Sequence, residues 1–235
     1  MNGSYLNPLD MDNYLSLPVD AILLFGPTGA GKSPLGDTIA CRGFFGRRAY
    51  HLDFGSELRS IANANRSSSR YSDSELAFVR GVLDRGLLLE NEHFVLARKI
   101  ISLFLERSCF ASGDILVLNG IPRHVGQAKD LSTIAIVHAL IVLDCSLDSI
   151  LCRLTSNVGG DRTGRIDDHK DLVGRKLQIF IERTQPLIEH YAQEGSMIYR
   201  LPVTDASTTT DAYTALTSLA TAYPPVTFIA EPPQR

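Results

Sequence analysis

The sequence predicts a three-layer α/β fold, a five-stranded parallel sheet with helices on both faces, and three observations carry that prediction. Short continuous apolar runs, the mark of strands buried on both sides, recur along the chain. Longer stretches with helical spacing separate them, as the crossovers of a parallel sheet require. A glycine-rich octapeptide cuts the first apolar run from the first helical stretch.

Taken in order, residues 1–17 are polar, Asn-rich and aperiodic, and read as a flexible leader to a single domain over 18–222. Strands are expected at 21–25, 49–52, 115–118, 140–143 and 197–201, and helices at 35–41, 74–89, 94–105, 147–154 and 172–191. Residues 59–105 hold several helical stretches with no strand between them and form an insert. Within it, 63–73 is rich in Ser, Asn and Arg, as a mobile loop would be. Residues 155–168, TSNVGGDRTGRIDD, are polar, glycine-containing and charged, a second excursion able to move. The proline-punctuated stretch 223–235 reads as a tail.

The chain of 235 residues, 44% hydrophobic and 21% charged, is long enough to bury a full core in one domain. A formal net charge of -3 excludes a global attraction to nucleic acid or anionic membrane, so any anion site must be local. Cys41, Cys109, Cys145 and Cys152 form no C-x-x-C pair and read as reduced packing residues. No basic stretch followed by an apolar one opens the sequence, and no apolar run approaches the roughly 20 residues that cross a bilayer, so a cytoplasmic location is expected. His51, His93, His124, His138, His169 and His190 share no ligand spacing, and His138 reads as a core or strand-end residue.

The octapeptide is Gly26, Pro27, Thr28, Gly29, Ala30, Gly31, Lys32 and Ser33, which fits G-x-x-x-x-G-K-[ST] without mismatch. Glycines allow the backbone to curl so that successive N–H groups face phosphate oxygens, and the helix that follows adds its partial positive charge. Lys32 is expected along the β- and γ-phosphates and the Ser33 hydroxyl on magnesium, which makes ATP and Mg2+ the implied cofactors. Pro34 is tolerated because N–H groups of a first helical turn have no intrahelical partner to lose.

Three further stretches resemble the adenylate kinase and nucleoside monophosphate kinase family of P-loop proteins, and the resemblance runs over about 21–219. HLDFGSELR, 51–59, stands where that family has a segment ending in an arginine on the acceptor phosphate, which implies that role for Arg59. LVLNGIPRHVGQAKDL, 116–131, is similar to the family's third strand, Gly-x-Pro-Arg turn and glutamine. It implies that Arg123 touches the acceptor phosphate and Gln127 reads the acceptor base. The elements CRL, GRIDD and RKLQIFIERTQPLIEHY, within 152–191, look like the family's lid and following helix, and imply that Arg165 closes over the transferred phosphoryl group.

The chain also departs from that pattern. The family has aspartate where Asn119 stands, a position implied to serve the magnesium shell, and a neutral amide is a weaker partner for a hard cation. An earlier lid arginine is replaced at Ser156 or Asn157, with Arg162 alone able to substitute. An arginine expected on the next helix aligns with Lys176, beside Arg175. Since one residue turns about 100° around a helix, the two cannot face the phosphates equally. Asp53 and Phe54 take the place of a small hydroxyl residue beside the acceptor base. Asp53 accepts from a base amine, caps the next helix or serves the magnesium shell, and Phe54 stacks on a base. Asp167 and Asp168 read as lid-orienting or capping carboxylates.

Phosphoryl transfer spreads charge over non-bridging oxygens and needs positioned cations rather than a covalent step, which is the residue set found here. The resemblance therefore implies an ATP-dependent phosphotransferase acting on a nucleoside monophosphate. It would act as a monomer, with small nucleotides as partners and neither nucleic acid nor membrane. Two other readings stay open: a nucleotide-binding regulatory module with little turnover, and a kinase of another small metabolite.

Overall fold

The computed structural model describes residues 18–64, 70–87, 89–156 and 170–225. Five strands, β1 (Val19–Phe25), β2 (Ala49–Asp53), β3 (Ile115–Asn119), β4 (Ala135–Cys145) and β5 (Met197–Val203), form one sheet in the order β2-β3-β1-β4-β5. Every neighbouring pair is parallel. The strands alternate sides cleanly: Ala21, Leu23 and Phe25 face one core, Ile22 and Leu24 the other.

Helix α1 (Lys32–Arg42) and helix α9 (Thr209–Ala222) cover the second core through Leu35, Ile39, Leu216 and Ala220. Gly36 lets α1 lie close to β2, because a Cβ there would stand 2.4 Å from the His51 ring nitrogen. The first core is covered by α2 (Phe54–Asn63), α3 (Asp73–Arg85), α4 (Phe94–Arg107), α5 (Val125–Leu131) and α8 (Pro186–Gln193), which supply Leu58, Val79, Ile101, Leu131 and Leu187. Two helices begin with reciprocal caps that satisfy their first N–H groups, Ser72 with Glu75 on α3 and Thr208 with Asp211 on α9. Asp53 caps α2 by accepting from the Ser56 N–H at 2.9 Å.

Several expectations change in detail. The insert between β2 and β3 begins with a helix at Phe54, directly off the strand, and reaches β3 through α2, α3 and α4 with a short 3₁₀ turn at Asn91–His93. Strand β4 is longer than its apolar run because its first half carries the exposed Ile136 and the polar His138. The expected single helix over 172–191 is instead α7 (Lys170–Ile179), a π-helical turn at Phe180–Thr184, and α8. Pro186 has no N–H, and the Gln185 N–H reaches five residues back to the Phe180 carbonyl at 2.8 Å. Three of the four cysteines are not packing residues, since Cys41, Cys109 and Cys152 are exposed, whereas Cys145 is half-buried against the second core. The leader 1–17, the loop residues 65–69, most of the lid excursion and the end of the tail lie outside the described residues. No helix among the described residues is long and apolar enough to cross a membrane.

Candidate active site

All five strands point their C-terminal ends the same way, and β1 lies between β3 and β4 at the place where chain order reverses across the sheet. Open parallel sheets hold ligands in the crevice at such a point. The glycine-rich loop leaves β1 there. Gly26 has φ 144° and its Cβ would meet the Leu143 carbonyl oxygen at 2.9 Å, so no other residue fits without displacing β4. The Lys32 ammonium donates to the Gly26 and Pro27 carbonyls, each at 2.7 Å, and so spans the loop at the foot of α1.

At the ends of the next two strands Asp53 and Asn119 pair in register. The Ser33 hydroxyl donates to Asp53 Oδ2, and Asn119 Nδ2 donates to both Asp53 Oδ2 and Ser33 Oγ at 3.1 Å. Burial raises the affinity of the Asp53 carboxyl for a proton. Hydrogen bonds from the Ser33 hydroxyl and Ser56 N–H, with the charge of Arg59, outweigh it and hold the group below its ordinary value. The carboxylate is therefore ionised beside the loop.

Asp53 and Phe54 thus face different ways. Asp53 joins the loop, whereas Phe54, 4% exposed, lines a cavity of about 150 Å³ together with Leu58, Arg59, Arg123, Gln127 and Lys176. A smaller cavity opens beside Gly26, Thr28 and Lys32 and shares Gly120, Arg123 and Lys176 with the first. Arg123 and Lys176 therefore stand where the two spaces meet. Enclosure pushes the Arg123 guanidinium down from its ordinary value and the Asp53 carboxylate pulls it back, and a group of such basicity stays charged.

Arg123 is held from three sides. Its N–H donates to Gln127 Oε1 at 2.8 Å, its Nε to the Gly120 carbonyl at 3.1 Å, and its carbonyl accepts from the Thr184 hydroxyl of the π-helical turn at 3.1 Å. Gln127, 1% exposed, also donates from Nε2 to the Leu89 carbonyl at 2.7 Å, so its amide braces the cavity wall through the backbone. Lys176 faces both cavities, while Arg175 is exposed and lines neither. Arg165 lies outside the described residues, as do Arg162, Asp167 and Asp168.

One buried cation was not singled out by sequence. Arg153, on α6 (Leu147–Ser156), is 7% exposed; its Nε donates to the Gly29 carbonyl at 3.2 Å and Nη1 to the Thr204 and Ser207 carbonyls at 2.9 and 2.8 Å. It ties the loop to the turn after β5. The signal was available: Arg153 lies three residues after the buried Ile150, a charge on the apolar face of its helix.

No family model matches the chain. It is similar to proteins named adenylate kinase: that of Synechococcus sp. (strain CC9902) is 26% identical over 182 residues, covering 75% of this chain and 87% of the relative. That of Natronomonas pharaonis is 28% identical over 198 residues, covering 75% and 86%. Among solved structures, an unliganded sugar kinase from a Janibacter species superposes with a TM-score of 0.51 at 14% identity over 88% of this chain and 97% of that one, a likeness of fold.

Proposed function

We propose that this chain, a divergent member of the adenylate kinase and nucleoside monophosphate kinase family, transfers the γ-phosphoryl group of ATP directly to a nucleoside monophosphate. The observation that carries the reading is the junction of two cavities at Arg123 and Lys176, one opening on the Lys32 loop and the other walled by Phe54 and Arg59. Two polyanions entering from opposite sides would meet end to end between those cations.

In this reading residues 26–33 hold the ATP phosphates, Lys32 leaving its loop carbonyls for phosphate oxygen. The hydroxyl of Ser33 and the carboxylate of Asp53 are the hard donors that suit Mg2+, whereas Asn119, expected to be a metal ligand, presents its amide nitrogen and donates to both. Bound there, the cation would neutralise charge on the β- and γ-phosphates. Arg59 and Arg123 orient the acceptor phosphate, and Arg165 closes from the lid. An acceptor phosphate oxygen then forms its bond to the γ-phosphorus as the bond to the ADP oxygen breaks. That oxygen is already ionised, so no general base is required. Phe54 gives the acceptor base an aromatic wall in place of a hydroxyl, and Gln127 acts on that wall by bracing it.

Arg123→Ala tests this. Its two backbone hydrogen bonds, to Gln127 and Thr184, survive the change, so the fold should too. The expected result is a fall in kcat of about 100- to 10,000-fold with a thermal midpoint close to wild type. Unchanged turnover would remove Arg123 from the mechanism.

A further inference from the structure

We propose that the carboxylate of the magnesium shell has moved one strand across the sheet, from the end of β3 to Asp53 at the end of β2, leaving Asn119 to position it. The inference rests on the phosphotransferase reading above and assigns a role that motif position alone would give to residue 119.

Four observations support it. Asp53 and Asn119 are direct neighbours in the parallel register, so a carboxylate at either stands at the same depth and beside the same loop. Asp53 Oδ2 accepts from the Ser33 hydroxyl, the group that a P-loop presents to the cation. Asn119 turns its amide nitrogen, not its oxygen, toward both partners. A carboxylate only accepts, so the amide must donate to it, and Asn119 fixes Asp53 rather than competing for the metal. Finally, the arrangement keeps one negative charge in the cluster. An aspartate at 119 beside Asp53 would place two carboxylates about 3 Å apart, and such a pair cannot both ionise without strong mutual repulsion. Asn119 is then the fitting residue once Asp53 is present, not a lesion.

The chemistry also makes the test clean. Asn caps a helix as well as Asp does, so Asp53→Asn keeps the bond to the Ser56 N–H while it removes the charge and replaces the Oδ2 acceptor of Ser33 and Asn119 by an NH2 group. The variants to compare are wild type, Asp53→Asn, Asn119→Asp and the exchange Asp53→Asn with Asn119→Asp. Each is titrated calorimetrically with the β,γ-imido analogue of ATP, with Mg2+ and with EDTA, and no acceptor is present, so the readout is binding. Manganese in place of magnesium, followed by electron paramagnetic resonance, reports the metal itself.

We expect Asp53→Asn to cut the Mg2+-dependent gain in analogue affinity by about 10- to 100-fold, with affinity in EDTA equal to or above that of wild type because a carboxylate no longer repels the phosphates. The exchange should recover most of that gain, and Asn119→Asp alone should not increase it. A Mg2+ gain in Asp53→Asn equal to that of wild type would overturn the proposal, as would a larger gain from Asn119→Asp alone. Failure of wild type to bind the analogue even in EDTA would instead count against the phosphotransferase reading. The exchange variant guards against misfolding, since it restores the cluster's composition with its two members interchanged.

Discussion

Individual residues around the sheet do two kinds of work, and Asp20 illustrates the structural kind. Its Oδ1 lies 2.7 Å from His138 Nε2, and Oδ2 accepts from the Arg47 guanidinium. Partial burial pushes this carboxyl up, but the hydrogen bonds from His138 and Arg47 outweigh it and the group titrates below its ordinary value of 3.8. A depressed pKa means that the folded state favours the ionised form. The stability gained is therefore present above the unfolded value and lost as pH falls through the lower folded one. We expect Asp20→Asn to cost about 1–2 kcal/mol at neutral pH, and the difference from wild type to shrink as pH falls below the ordinary carboxylate range. Urea melts across that range would decide it; a pH-independent difference would contradict the assignment. Asp53, by contrast, lies against the glycine-rich loop, where it accepts from Ser33 while also capping α2. Its sequence position allowed three roles; capping could be read locally, but its contact with Ser33 and Asn119 depends on the register of β2 against β3, which no local pattern contains. Sequence placed Arg175 and Lys176 a helical step apart, but only the docking of α7 on the cleft put Lys176 inside and Arg175 out.

At the scale of elements, the strands were legible because burial on both faces leaves an unmistakable apolar run, as at Ile115, Leu116, Val117 and Leu118, each 0% exposed. Helices were legible where large apolar residues recur at helical spacing, as on α4. Helix α9 is built mostly from Thr, Ala and Ser, and α5 has only seven residues, so neither gave a strong period. The π-helical turn was hidden for another reason: the apolar spacing continues through Pro186, so the stretch 172–191 reads as one helix, and the missing Pro186 N–H interrupts its backbone ladder without breaking that pattern. That turn carries Thr184 to the Arg123 carbonyl and Arg183 to Glu90, whose carboxylate accepts two bonds of 2.7 Å. Those bonds, with the neighbouring positive charge, hold the Glu90 carboxyl below its ordinary value despite some desolvation. Both partners are substantially exposed, so the pair should contribute little to stability. Glu90→Gln is expected to cost less than about 1 kcal/mol in low salt, with the difference shrinking in molar sodium chloride. A larger, salt-insensitive loss in denaturant melts would mean that the pair is structurally essential.

Across the whole molecule, a chain of net charge -3 turns several of its cations toward one crevice. Arg59, Arg123 and Lys176 line the larger cavity and Lys32 the smaller. Composition could exclude a global polyanion partner but could not locate this concentration, because Arg59, Arg123 and Lys176 are distant in sequence and meet through the sheet order. The glycine-rich loop was readable in full from its motif. The relation between its cavity and the second one was not, since it follows from where the Gly120 to Arg123 turn sits between β3 and α5. The direct measurement is a coupled assay of ATP with AMP, GMP, CMP, UMP and their deoxy forms, comparing wild type with Lys32→Ala. Direct transfer between two nucleotides requires that at least one monophosphate become its diphosphate in step with ADP release, and the substitution is expected to lower the rate by at least about 100-fold. Tight ATP binding with no diphosphate formed from any monophosphate would contradict it.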